Sequence, residues 1–213
     1  MRVVEPQRGA AGSRERHASA RAGGLRARGR LKAGRAVGGF RYCRSSIPQV
    51  TDVSDDLAAF FDLIDYPYFV VTVRSKDADM SGCLAGFVTQ CSIDPPNFLV
   101  CISKVNHTLV VAARSPGMGL HLLGQDQVDL ARLFGEETGD VVDKFASVDW
   151  RLGSTGAPLL VEAAVSMEGQ VLGHFSVGDH ESFLVRGVRA VAGGHSGLLT
   201  FRSAPPLHPG HPA

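Results

Sequence analysis

The sequence lacks the long hydrophobic runs that membrane-spanning segments need. No uninterrupted apolar stretch approaches the roughly 20 residues that a helix needs to cross a bilayer. A signal peptide is not evident either, because no short apolar core follows the basic residues near the N-terminus. We therefore expect a cytoplasmic protein without a transmembrane helix and without a membrane partner.

Cysteine is scarce, and its spacing does not indicate a metal centre. The four cysteines, Cys43, Cys83, Cys91 and Cys101, form no CxxC pair, and no histidine stands at a metal-ligand spacing from them. The last three lie in apolar segments, so we expect small buried thiols in a reducing compartment. The sequence predicts no metal ion.

The signature motifs of several enzyme classes are also missing. No GxGxxG follows a strand, and neither a GxxxxGK[ST] loop nor a GxSxG nucleophile elbow is present. These absences argue against a Rossmann dinucleotide site and a P-loop, and they leave a hydrolase without a specific signal. No internal repeat with a period of about 20–50 residues occurs either.

Charge is distributed unevenly along the chain. Residues 1–46 carry 11 arginines and one lysine but only two glutamates, a net charge of +10, whereas residues 47–213 carry −9. The basic segment is rich in Arg, Gly and Ala and lacks apolar periodicity, so we predict a disordered tail. Four roles fit this composition: a nucleic-acid-binding arm, an organellar transit peptide, a membrane-surface tether, or an extension with little function.

The order of the remaining segments indicates a mainly β domain. We predict helices at SDDLAAFFDLID (N-cap Ser54), NHTLVVAARS and QDQVDLARLFG, and a short helix in DVVDKFASVDW. Strands are predicted at YFVVTVR, LAGFVTQCS, NFLVCIS, GMGLHLLG, within 159–191 and at GLLTFRS, with turns at Glu168-Gly169 and Gly178-Asp179. Because the strands follow one another as hairpins without βαβ alternation, we predict an antiparallel barrel.

Changes in composition suggest where the folded domain begins and ends. We predict a folded domain over residues 47–204 and a frayed end, rich in Pro and His, over 205–213. Large apolar side chains at helical spacing or beside turns are expected in the core. These are Leu57, Phe60, Phe61, Phe134 and Trp150.

One apolar segment is unusually poor in bulky side chains. In SGCLAGFVTQCSIDPP, residues 81–96, small and hydroxyl-bearing residues stand where a core strand normally carries large ones. Consecutive small residues let a planar ligand lie against the backbone. Hydroxyl groups and one cation are available at Thr89, Ser92, Ser103, Thr108 and Lys104. An anionic, polyhydroxylated ligand such as a flavin mononucleotide fits this combination, and so does the solvent face of a two-sided strand.

The same segment resembles the flavin reductase-like, FMN-binding split-barrel family, the flavin reductase component of two-component monooxygenases. The likeness begins with SGCLAGFVTQCSIDPPNFLVCISKVNHT and its Ser-x-Asp-Pro-Pro turn. It continues in order through GLHLLGQDQVDLARLFG, DKF…W, TGAPLL and GDHESFLVRGV, and covers about residues 60–192. The resemblance implies a mainly β fold with short helices, an antiparallel six-stranded split β-barrel, usually a homodimer with flavin near the subunit interface.

The resemblance also implies roles for individual residues. The strand that lines the flavin ring matches Cys83, Leu84, Ala85 and Gly86, and its continuation matches Thr89, Gln90, Cys91 and Ser92. The segment beside the phosphate matches Ser103, Lys104, Asn106, His107 and Thr108. His107 stands where serine is commoner, which bears on the choice among FMN, FAD and deazaflavins. The family's Gly-Asp-His matches Gly178, Asp179 and His180, and His180 is implied as the catalytic residue that faces the nicotinamide.

The implied activity is NAD(P)H-dependent flavin reduction. Proteins of this kind pass a hydride from NADH or NADPH to FMN or FAD, often to supply reduced flavin to a partner monooxygenase. A flavin-binding sensor or carrier without reductase turnover is the alternative, because a fold does not determine a reaction. Nucleic-acid binding through residues 1–46 is a third and less favoured function.

Overall fold

Nine β-strands and three α-helices make up the residues that the computed structural model describes, 55–194 and 197–210. The basic tail predicted at residues 1–46 and the N-cap predicted at Ser54 lie outside these residues. Within them, no helix is long and apolar enough to span a bilayer.

Most of the elements follow the predicted order, although Trp150–Leu152 was not predicted as a strand. The helices are α1 (Asp55–Asp62), α2 (His107–Ala112) and α3 (Val128–Gly135), and a 3₁₀ turn covers Lys144–Ser147. The strands are β1 (Phe69–Arg74), β2 (Met80–Ala85), β3 (Val88–Ser92), β4 (Asn97–Ser103), β5 (Gly117–Leu122), β6 (Trp150–Leu152), β7 (Pro158–Leu160), β8 (Val165–Val177) and β9 (His180–Ala192).

The strand order explains how the sheet becomes a barrel. Seven strands pair antiparallel in the order β2-β1-β5-β8-β9-β4-β3, and β6 pairs with β7 separately. The segment LAGFVTQCS, predicted as one strand, is therefore broken at Gly86 and Phe87, and its halves β2 and β3 stand at opposite edges of the sheet. The Phe87 carbonyl accepts a hydrogen bond from Cys101 N at 3.0 Å, which joins the bend to β4. Counted as one bent strand, β2 and β3 complete the predicted six-stranded barrel.

Two apolar clusters fill the space on either side of β1. Val71 and Val73 face the cluster inside the barrel, whereas Val70 faces a second cluster beneath α3. Successive side chains on a strand point to opposite faces, so burial on both faces requires the continuous apolar run that YFVVTVR shows. Burying each valine contributes about 1.5–3 kcal/mol.

The prediction for the core was right for one of its five side chains. Phe134 is buried in the second cluster. The others are exposed, to 38% at Leu57, 58% at Phe60, 54% at Phe61 and 36% at Trp150. Helical periodicity indicates which face of α1 is apolar, but it does not indicate whether the same chain covers that face. In the described chain that face lies at the surface.

Two further local predictions were wrong. Glu168-Gly169 is not a turn: it lies inside the long strand β8, where the register to β9 shifts as in a β-bulge. The segment GLLTFRS forms no strand but two isolated bridges, Leu198 to Gly124 and Thr200 to Pro67. The turn predicted at Gly178-Asp179 is confirmed, and Gly178 has a φ of 70° there.

The cysteines do not share one environment. Cys83 is buried as predicted, Cys101 is half-buried, and Cys91 is exposed. The expectation for Cys91 was wrong because β3 is an edge strand, and the side chains of Thr89, Gln90 and Cys91 are open to solvent.

Candidate active site

A cavity of about 480 Å³ opens between β2, the start of α2, the end of α3 and the C-terminal residues. This volume lies in the range of small-molecule sites. Eight of the residues predicted for the site line it: Cys83, Leu84, Ala85, Gly86, Ser103, Asn106, His107 and His180. The fold thus brings together the predicted ring-side strand, part of the predicted phosphate-side segment and the predicted catalytic histidine.

The other predicted site residues do not line this cavity. Thr89, Gln90, Cys91 and Ser92 lie on β3, which the bend at Gly86 and Phe87 directs to the opposite edge of the sheet. Their roles in ligand binding stay predictions.

Lys104 and Thr108 also lie off the cavity, in different ways. The exposed Lys104 side chain donates from Nζ to the carbonyl of Gly178, and so holds the β8–β9 turn. Thr108 is buried, and its Oγ1 shares a 3.0 Å hydrogen bond with Oγ of Ser81. Contacts of these two residues with a ligand also stay predictions.

The start of α2 presents His107 to the cavity. Asn106 is the N-cap of α2, and its side chain accepts a hydrogen bond from Thr108 N at 2.9 Å. The cap begins the helix at His107, four residues after β4 ends at Ser103. Ser103 is paired across the sheet with His180, so the phosphate-side segment and the histidine lie side by side.

His180 is held by a carboxylate and an aromatic ring. Its Nδ1 lies 2.8 Å from Oδ1 of Asp179, and its ring meets Phe87 edge-on with centroids 5.5 Å apart. The hydrogen bond from His180 lowers the pKa of Asp179, so the carboxylate is ionised and Nδ1 carries the donated proton. The imidazole is therefore oriented by its neighbours before any ligand binds.

A buried lysine supports the floor of the cavity. Nζ of Lys144 donates to the carbonyls of Gly82 at 3.1 Å and Phe134 at 3.2 Å, and burial lowers the pKa of this amine. Cys83 lies close by, and burial raises the pKa of its thiol to about 11 although Thr108 and Lys144 act in the opposite direction. Cys83 is thus a neutral thiol at pH 7, suited to contact with an apolar ring. The sequence placed Lys144 in the DKF motif without a role.

Aromatic side chains form a wall of the cavity that the sequence did not predict. Tyr68, Phe87 and Phe201 line it, and the rings of Phe201 and Tyr68 lie 4.6 Å apart. Phe201 reaches the site because its N–H donates to the Tyr66 carbonyl at 3.0 Å. The segment that contains Phe201, GLLTFRS, is predicted as a strand. No periodicity within this segment indicates that the ring of Phe201 lies against Gly86 at the end of β2.

Polar groups are concentrated at the rim. The loop between α3 and the 3₁₀ turn contributes Glu137, Thr138, Gly139 and Asp140, and a hydrogen bond from Thr138 lowers the pKa of Asp140. Together with the histidines of the rim, these groups surround a floor of small and apolar side chains. This arrangement suits a ligand with a flat apolar ring and a polar, charged extension.

Comparison with known proteins agrees with this geometry. The family model of the flavin reductase like domain matches residues 61–205. "FMN reductase (NADH) RutF 1" of Methylorubrum extorquens (strain PA1) is 33% identical over 144 residues, which are 66% of this chain and 69% of the relative. A "probable flavin reductase" of Rhizobium meliloti (strain 1021) is 30% identical over 129 residues, 61% of this chain but only 40% of that protein.

Solved structures show the same fold. The "NADH:FAD oxidoreductase SgcE6" of Streptomyces globisporus C-1027 superposes with a TM-score of 0.63 at 27% identity, covering 72% of this chain and 94% of that chain. An FMN-binding protein from Thermus thermophilus, with bound p-hydroxybenzaldehyde, gives a TM-score of 0.58 at 29% identity over 62% of this chain and 75% of the other. Since the family model matches more than half of its residues, the chain belongs to the family of flavin reductase-like domains.

Proposed function

We propose that this protein is an NADH-dependent flavin reductase that uses the cavity between β2, α2 and α3. The observation that carries the proposal is the cavity itself, which residues 83–86 line together with an oriented histidine, His180. The relative from M. extorquens is named an FMN reductase (NADH) and the S. globisporus neighbour an NADH:FAD oxidoreductase. Both names support flavin and NADH as the substrates.

The residues of the cavity fit a flavin. Cys83 and Ala85 are small enough to leave room for a planar ring beside β2, and Leu84 adds an apolar side chain. The space beside Gly86 is taken by the ring of Phe201, which lines the same cavity. Ser103, Asn106 and His107 would hold the polar chain and phosphate. A bound flavin supplies the hydride-accepting chemistry, so the protein has to bind both partners, orient them and exclude water.

His180 would orient the nicotinamide. Its Nδ1 is occupied by the Asp179 carboxylate, so the opposite side of the ring, with Nε2, is the side that can contact a second substrate. The edge-on contact with Phe87 limits rotation of the imidazole. In this role His180 positions the hydride donor and needs no change in its own protonation.

Two partners are part of the proposal. A second copy of this chain would cover the exposed apolar side chains of α1, since contiguous exposed apolar surface marks interaction sites.

A flavin-dependent monooxygenase would take up the reduced flavin. Support for this partner comes from the family resemblance. The solved structure of "nitrilotriacetate monooxygenase component B" from Mycobacterium thermoresistibile shares 21% identity with this chain and therefore supports the fold but not the partner. The cytoplasmic location stays a prediction.

One set of measurements separates the reductase from the sensor or carrier. The absorbance spectrum of the purified protein would show whether flavin remains bound. Oxidation of NADH and of NADPH would then be followed with added FMN, FAD and riboflavin. Steady turnover that depends on added flavin and is faster with NADH is expected. Tight flavin binding without turnover would instead favour the carrier.

A further inference from the structure

One wall of the cavity lies outside the part of the chain that matches the family. The match ends at residue 205, yet Leu207, His208 and Pro209 line the cavity. We call residues 206–210 the C-terminal strap. We propose that the C-terminal strap is part of the ligand site and that His208 is a specificity-determining residue that binds the flavin phosphate, an inference that rests on the proposed function.

The C-terminal strap is attached to the end of α3 along its length. His208 N donates to Oε1 of Glu136 at 3.0 Å, and Gly210 N donates to the carbonyl of Gly135 at 3.1 Å. Between the strap and the barrel, Leu207 packs against the second apolar cluster, which also contains Phe134. Within the frayed end predicted for residues 205–213, the described residues 207–210 make these contacts, and residues 211–213 lie outside the described part of the chain. The contacts hold the backbone of His208 at the rim while its side chain remains accessible.

The charges at the rim explain why a phosphate would need His208. Glu137 and Asp140 line the cavity, and the lowered pKa of Asp140 keeps its carboxylate ionised at neutral pH. A phosphate beside these groups is repelled unless hydrogen-bond donors lie close to it. Imidazoles are suited to this task because they donate when neutral and add positive charge when protonated.

The lysines do not provide that donor. Lys104, which the resemblance implies for the phosphate, does not line the cavity and donates to the carbonyl of Gly178. Lys144 does line it, but its amine is buried against the carbonyls of Gly82 and Phe134. Apart from Lys144, the lining side chains that can add positive charge are therefore histidines. His180 is held by Asp179, which leaves His107 from α2, within the family match, and His208 from the C-terminal strap, beyond it.

The experiment compares flavins with and without a phosphate. Dissociation constants of FMN, FAD and riboflavin would be measured by flavin fluorescence for the full-length wild type, H208A and H208K. Losing one charge-assisted hydrogen bond should weaken FMN binding about 10–150-fold. Riboflavin, which has no phosphate, should change less than about 2-fold, and H208K should restore most of the FMN affinity.

Matched controls test for indirect effects. His174 is an exposed histidine of β8 that does not line the cavity, so H174A should leave all three affinities unchanged. A chain that ends at Gly210 should bind like the wild type. A chain that ends at Pro206 should lose the preference for FMN over riboflavin and bind both less tightly, because it lacks Leu207 as well as His208.

Several results would overturn the inference. Unchanged FMN affinity in H208A, or an equal loss for FMN and riboflavin, would exclude a phosphate contact. A change confined to the KM for NADH would assign His208 to the nicotinamide nucleotide instead. Failure of the wild type to bind any flavin is a different outcome, because it would reject the proposed function itself.

Discussion

The ring of Phe201 lies directly against Gly86. A Cβ atom on Gly86 would come within 2.3 Å of Cζ and 2.4 Å of Cε1 of that ring. Phe201 is itself packed between Tyr66 and Tyr68, with ring centroids 5.6 Å and 4.6 Å away. Glycine is thus required at position 86 because the ring of Phe201, 115 positions later in the chain, occupies the space of a side chain. This requirement does not depend on the ligand that the cavity binds.

We predict that G86A destabilises the protein through this contact. The added methyl group has to displace an aromatic ring held by two others, so the free energy of unfolding should fall by about 1–3 kcal/mol. In an F201A background the same methyl group should cost less than about 0.5 kcal/mol. Urea denaturation of the four proteins measures the coupling.

The control for this double-mutant cycle of G86A and F201A is G173A. A Cβ on Gly173 in β8 would meet nothing within 4 Å, so the change should lie within about 0.5 kcal/mol of the wild type. Equal costs for G86A with and without Phe201 would show that the ring does not restrict position 86.

A second prediction concerns His180. In the proposed role its imidazole contacts the nicotinamide and not the flavin ring, so H180A should lower kcat/KM for NADH about 10-fold or more. The dissociation constant for FMN should stay within about 2-fold of the wild-type value. Stopped-flow hydride transfer and fluorescence titration measure the two quantities separately.

D179N provides the test of how His180 is positioned. The amide preserves the shape of Asp179 but weakens the hydrogen bond to Nδ1 of His180. We therefore expect D179N to lower kcat/KM for NADH by less than H180A does. If H180A left the kinetics with NADH unchanged, His180 would have no role in binding the donor.

A third prediction follows from the buried imidazole of His121. Nδ1 lies 2.9 Å from the carbonyl of Val70 and Nε2 accepts from Leu160 N at 3.0 Å, so both nitrogens are satisfied only in the neutral ring. Burial lowers the pKa of His121 from 6.5 to about 4. The unfolded chain therefore takes up a proton between these pH values that the folded chain does not.

The lowered pKa of His121 determines how the free energy of unfolding changes with pH. His121 contributes full stability above pH 6.5, and the contribution falls as the pH drops towards 4, by about 3 kcal/mol in total. Urea denaturation at a series of pH values should show this decline in the wild type. H121Q should be less stable at pH 7 but should lose less stability on acidification, and an equal pH dependence in both proteins would contradict the assignment.

A fourth prediction concerns the apolar face of α1. Phe60 and Phe61 are more than half exposed in one copy of the chain, and a homodimer would bury them. We expect the wild type to sediment as a dimer and F60D/F61D to shift towards the monomer. V141D, which places the same charge at a valine that is 81% exposed elsewhere, should remain dimeric. A monomeric wild type would refute the prediction.

The family, the antiparallel barrel and eight of the residues that line the cavity could be predicted from the sequence because their signals are local. The small residues of β2, the helix in NHTLVVAARS and the Gly178-Asp179 turn each depend on backbone geometry within a few residues. Periodicity likewise identified the apolar face of α1. It could not show that this face stays exposed, because burial depends on what other segments pack against it.

The sequence by itself determined most of the strands, the turn at Gly178-Asp179 and which stretch is poor in bulky side chains. Only the tertiary structure decided what surrounds that stretch. Lys144 donates to a carbonyl 62 residues earlier, and Phe201 covers Gly86 from the far end of the domain. His208 reaches the same cavity from beyond the family match. Such contacts follow from closing the barrel, which brings distant segments together, and no pattern of neighbouring residues contains them.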